Sequence, residues 1–105
     1  MKNKWRLPTV NELQGVFDYE ASKPKIDGFA SNNYWSSTVY PYYTDYAWIV
    51  GFSNGYTFYD AKPYDHYVRC VKKCKDGSLE WSEATKNRMT WSEAKKYCER
   101  LSNEK

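Results

Sequence analysis

The apolar positions along this chain change period twice. Val10, Leu13, Val16 and Phe17 fall three or four residues apart, which predicts a helix with one buried face and with Asn11, Glu12 and Gln14 turned outward. Thr9-Val10-Asn11-Glu12 opens it as a capping box, in which the Thr hydroxyl and the Glu carboxylate each satisfy an orphaned backbone N–H. The helix is expected to start at Val10 and to end near Asp18 or Tyr19. Residues 20–32 carry Pro24, Gly28 and small polar residues and are expected to form a loop. From Asn33 the texture turns aromatic and β-branched, predicting strands over residues 34–38, 46–52, 56–59 and 67–72, with loops at 40–45 and 60–66. Ser53-Asn54-Gly55 is a hairpin signal, because Asn-Gly tolerates the positive φ of tight turns. In the strand at 67–72, Val68, Cys70 and Lys72 share one face and Tyr67, Arg69 and Val71 the other. Residues 75–78 signal a second hairpin, after which Leu79–Trp81 can pair back. The helical period then returns: Thr90-Trp91-Ser92-Glu93 is a second capping box, followed by a stripe of Trp91, Ala94, Tyr97, Cys98 and Leu101. The WSEA tetrapeptides at Trp81 and Trp91 are not a repeat, since one lies in a strand context and the other opens a helix.

At 105 residues the chain fits one domain, able to bury roughly two thirds of its unfolded surface. Eleven Tyr and five Trp against four Phe point to surfaces that are apolar and hydrogen-bonding at once. The net charge of +3 comes from interleaved cations and anions, which describes a solvated mixed surface and argues against nucleic-acid binding. No apolar run reaches membrane-spanning length and no apolar segment follows Met-Lys-Asn-Lys-Trp-Arg, so neither membrane insertion nor a signal peptide is expected. Cys70, Cys74 and Cys98 allow one disulfide and one leftover thiol. With no CxxC and His66 the only histidine, zinc is not expected.

WRLPTVNEL, YWSST, YAWIVGFSNGYTFY and YVRCVK, in that order, resemble the bacterial Lcl C-terminal-type domain of surface proteins, among them collagen-like adhesins. LEWSEATKNRMTWSEAKKYCERL resembles the start of the same domain. The resemblance implies the wider C-type-lectin-like and formylglycine-generating-enzyme fold: an α+β module with two helices around a small twisted antiparallel sheet. In that family the TWSEAKKYC helix precedes WRLPT and the YVRCV strand comes last, so the order here is rotated. The expectation is a single domain over 1–105, in which 1–72 resembles the family's C-terminal part, 73–78 is a joining turn and 79–105 resembles its N-terminal part. Such a chain is circularly permuted, or is cut out of phase from tandem units; the alternative is two half-domains that do not meet. If permuted, Lys105 and Lys2 lie close in space. The resemblance also implies a disulfide between Cys70 and Cys98, with reduced thiols as the alternative and Cys74 unpaired. It places the protein outside the cell or on its surface.

Candidate ligand-binding residues are Tyr40, Tyr42, Tyr43 and Asp45 in one loop, with Tyr59, Asp60, Lys62, Tyr64, Asp65 and His66 in or beside the next. Rigid amphipathic tyrosines give contact area at low entropic cost. Tyr34, Tyr46, Tyr56 and Tyr67 lie within strands and, with Trp5, Trp35, Trp48, Trp81 and Trp91, are assigned to the core. No catalytic residue, metal or cofactor is expected. Formylglycine-type chemistry uses paired cysteines late in a longer chain, and Asp45, Asp60 and Asp65 are scattered with no Glu-Pro-Asn sugar motif. The expected function is a non-enzymatic module for a glycan, with a sulfated glycosaminoglycan suggested by the family adhesins, or for a protein ligand. The alternatives are a structural or oligomerisation domain, including a homo-oligomer or domain-swapped dimer, and a degenerate enzyme.

Overall fold

Two capping boxes fix where the helices begin. In α1 (Val10–Gly15) the Glu12 N–H donates to Thr9 Oγ1 at 3.1 Å and the Thr9 N–H to Glu12 Oε1 at 2.8 Å; in α2 (Trp91–Leu101) Thr90 and Glu93 repeat the exchange. Between them run β1 (Phe17–Asp18), β2 (Lys23–Pro24), β3 (Asn33–Val39), β4 (Tyr46–Gly51), β5 (Thr57–Ala61), β6 (Val71–Lys73) and β7 (Leu79–Trp81). The structure is a computed structural model and describes residues 4–102. It is α+β: a three-stranded antiparallel sheet ordered β3-β4-β5, two short ribbons, β1–β2 and β6–β7, and two helices.

Side-chain alternation on the sheet splits the core in two. Trp35, Ala47 and Ile49 point to one face, where they join Leu7, Val68, Cys70, Ala94 and Cys98 beneath α2. Tyr34 and Val50 point to the other, where they join Leu13 of α1, Phe17 and Phe52. Both helices therefore pack on β3, from opposite sides. Cys70 and Cys98 form a disulfide with Cα atoms 5.6 Å apart, fully buried, and Cys74 is the free thiol, as the family resemblance implies.

Several boundaries differ from the sequence expectation. α1 ends at Gly15, three residues short of Asp18. The Val16 N–H bonds to Leu13 O at 3.3 Å in a tightened last turn, and Phe17–Asp18 then pairs antiparallel with Lys23–Pro24 inside the expected loop. The strand expected over residues 67–72 is a ladder only at Val71–Lys73. Upstream, Tyr67 makes a single parallel bridge with Tyr34 while Val71 also pairs with Arg6. The hairpin to β7 forms with Val71 opposite Trp81 and Lys73 opposite Leu79. Gly55 takes φ +80°, and a Cβ there would stand 2.6 Å from the Phe17 ring, so the Asn54-Gly55 turn requires glycine on both counts.

Core assignments also need correction. Trp35 is fully buried, and Trp5, Trp81 and Trp91, though half-buried, pack against the two core clusters as expected; Trp48 is half-buried and joins neither cluster. Tyr56 is 70% exposed, because it lies just before β5 at the hairpin, its N–H held by Asn54 Oδ1. The described ends meet: the Trp5 N–H donates to Ser102 Oγ at 2.8 Å. Lys2 and Lys105 lie outside the described residues.

Candidate functional site

The six residues of α1 are too few to cover their side of the sheet. The helix sets Leu13 over Val50, and its Gln14 amide donates to Thr57 Oγ1 at 2.7 Å. Beyond that point the same face carries Trp48 and Tyr59, which are paired across β4 and β5, and Tyr46. Aromatic rings cover this remainder. Tyr40 stacks on Tyr59 with centroids 4.1 Å apart and meets Trp48 edge-on at 5.1 Å; Tyr42 and Tyr43 gather round Tyr40 at 5.7 and 6.2 Å, and Tyr46 bridges Tyr43 and Tyr59. The result is a contiguous patch of six rings, its outer members Tyr42 and Tyr43 exposed at 80% and 65%.

Each ring is placed by backbone. The β3–β4 turn is closed by the Tyr40 N–H on Tyr46 O at 2.9 Å and the Tyr46 N–H on Tyr43 O at 3.0 Å. Tyr40 is the hub. Desolvation first, and the neighbouring Tyr59 next, hold its hydroxyl above the ordinary tyrosine value, so this hydroxyl stays protonated at physiological pH. Such a surface offers π faces and hydroxyl donors and acceptors together, the combination that stacks against sugar rings or buries partner side chains.

The ten candidate residues are not all brought together. Tyr40, Tyr42, Tyr43 and Tyr59 form the patch. Asp60 lies across from Ala47 and hence on the opposite face, where its Oδ2 meets His66 Nε2 at 2.7 Å and the imidazole stands edge-on to Trp35. Lys62 also belongs to that side, its ammonium 4.2 Å from the centre of the Trp91 ring. Asp45, Tyr64 and Asp65 are exposed and make no ring contact or ion pair with the patch. Tyr46 and Trp48 are patch members that sequence reasoning assigned to the core. The signal that could have found them is the alternation of β4, which puts both on one face with Val50.

The α2 side presents a different surface. Lys95 and Lys96 are exposed on the helix, and a shallow groove of about 350 Å³ is lined by Met89, Glu93, Lys96 and Arg100. Lys62 and Lys95 both approach the Trp91 ring. Among the described residues no group of three or more His, Cys, Asp or Glu is placed to hold a metal ion, and no helix is long and apolar enough to cross a membrane.

The profile of the Lcl C-terminal domain matches residues 1–72, and the chain belongs to that family. The match ends at Lys72, inside β6. No curated protein and no solved structure matches the chain.

Proposed function

We propose that this domain is a non-enzymatic binding module of a bacterial surface or secreted protein, and that it recognises a glycan or a protein ligand through the aromatic patch. The observation that carries the proposal is the six-ring surface centred on Tyr40. Its outer tyrosines are exposed well beyond what covering the sheet requires, and its ring faces and hydroxyls make stacking and hydrogen bonding its means of contact. Burial of Cys70 and Cys98 in a disulfide takes both out of nucleophilic chemistry, which supports the non-enzymatic reading over a degenerate formylglycine-type enzyme. The same disulfide suits an oxidising, extracellular setting. A sulfated glycosaminoglycan would find its cations on the other face, at Lys62, Lys95, Lys96 and Arg100, where Glu93 and Glu99 lie among them.

The arrangement also fits a circularly permuted C-type-lectin-like module. The β6–β7 hairpin joins the two family-like segments, the disulfide ties them, and Trp5 meets Ser102 where the family's inter-helix loop would run. A glycan array probed with and without calcium and at two salt concentrations tests the binding reading. Saturable binding of neutral sugars assigns the patch, and strongly salt-dependent binding of sulfated chains assigns the α2 face. Absence of binding together with concentration-dependent oligomers favours a structural domain.

A further inference from the structure

β5 is the open edge of the three-stranded sheet, and its free hydrogen-bonding groups form a short window. The ladder with β4 is regular from Tyr46–Ala61 to Val50–Thr57. It is flanked by bonds from the Gly51 N–H to Tyr56 O at 2.8 Å and from the Lys62 N–H to Asp45 O at 2.9 Å. Those bonds set the parity: residues 56, 58, 60 and 62 turn their backbone groups toward β4, so Thr57, Tyr59 and Ala61 turn theirs outward. At one end the Ala61 N–H is closed by Asp60 Oδ1 at 2.9 Å and Ala61 O accepts from the Tyr64 N–H. At the other end the Gly55 N–H is spent on Gly51 O at 2.7 Å. Thr57 and Tyr59 remain, each with an outward N–H and C=O that meet no partner among the described residues.

From this we infer that a second copy of the chain docks on β5, edge to edge and antiparallel, about a twofold axis through Phe58. In that register Thr57 of one copy faces Tyr59 of the other, and all four outward N–H groups and all four carbonyls that serve them are matched. A register centred on Thr57 or on Tyr59 would match only half, because Gly55 and Ala61 are already engaged. The window is thus self-complementary, the requirement of an isologous contact. The open window itself carries no charged side chain: Tyr56, Phe58 and Tyr59 are exposed at 70%, 37% and 43%, Asp60 is paired with His66, and Lys62, the next cation along the chain, lies over Trp91. Three such rings from each copy expose on the order of 600 Å² together, well under a standard interface, so the dimer is weak and reversible. Because the twofold of an antiparallel pair stands perpendicular to its sheet, both aromatic patches fall on one face of a six-stranded sheet. A repeating ligand could then span them.

The test is sedimentation of the disulfide-intact protein over a micromolar concentration series, paired with oxidative cross-linking in a Cys74→Ser background. Reversible dimerisation is expected, weakened at least about tenfold by Thr57→Pro, which deletes one outward N–H per copy. Phe58→Cys is expected to cross-link readily, since the twofold sets residue 58 against itself with Cα atoms about 4.5 Å apart. Tyr56→Cys, more exposed, is expected not to, its copies being displaced by about 13 Å along the strands. A protein monomeric throughout the series, or equal cross-linking at positions 56 and 58, overturns the inference.

Discussion

The Trp5 N–H donates to Ser102 Oγ at 2.8 Å across 97 positions of sequence. The segment leading to α1 and the end of α2 are thereby in contact, and the Trp5 ring packs against the core cluster beneath α2. Joining Lys105 to Lys2 through a short linker and reopening the chain between Lys73 and Asp76 is therefore expected to preserve near-UV circular dichroism and the Cys70–Cys98 bond. The lost hairpin lengthens one loop closure, at a cost of about 1 kcal/mol. Loss of the near-UV signal would show that the β6–β7 turn is indispensable.

The disulfide spans 28 positions and ties Cys70, the residue just before β6, to α2. Replacing Cys98 by Ala is expected to lower unfolding stability by about 2–4 kcal/mol, measured by denaturant titration under oxidising conditions. Non-reducing peptide mapping of the wild-type monomer should recover Cys70 joined to Cys98, with Cys74 alkylated in the folded protein. A link from Cys74 to either partner contradicts the structure.

Arg69 is a buried cation that makes no ion pair with a carboxylate among the described residues. Its guanidinium donates to Ser82 O and, at 2.8 Å, to Asp27 O, and lies over the rings of Phe29 and Trp81. Burial pulls its pKa down, yet it stays charged at any ordinary pH. Arg69→Lys keeps the charge and loses the planar fork, so it should cost about 2–3 kcal/mol. A thermal shift within error of zero would show that the fork contributes nothing.

Glu12 accepts both guanidinium nitrogens of Arg6 at 2.8 Å and also caps Thr9. The Arg6 hydrogen bond, opposed by partial desolvation, holds its carboxylate below the ordinary value. A carboxylate with a depressed folded pKa contributes stability that is present above its unfolded pKa and lost as pH falls through the lower folded value. Glu12→Gln should therefore destabilise most near neutral pH, and its difference from wild type should shrink in acid. Denaturation curves that stay equally separated at both pH values would refute the assignment.

What was legible in the sequence was local. Both capping boxes, the Asn54-Gly55 turn and the β6–β7 hairpin depend on residues within four positions of each other, and the structure forms all of them. The Cys70–Cys98 link was legible only through the family resemblance. The early stop of α1 was hidden because Val16 and Phe17 continue its apolar spacing, although Phe17 reaches the core from an extended backbone. Tyr46 and Trp48 were misassigned for a related reason. Alternation tells which residues share a sheet face, but not how far along that face a six-residue helix extends. The separation of Asp60 and His66 from the tyrosines is likewise a matter of strand parity, visible only once β5 begins at Thr57.

The central claim is that the patch binds while contributing unequally to stability. Tyr40, which touches four other rings, should cost both binding and about 1–3 kcal/mol of stability when replaced by Ala. The direct measurement is the double variant Tyr42→Ala/Tyr43→Ala on the glycan and protein ligands that wild type retains, with thermal unfolding recorded on the same samples. The account predicts at least about tenfold weaker binding and an almost unchanged melting temperature. Undiminished binding by a folded double variant would contradict it.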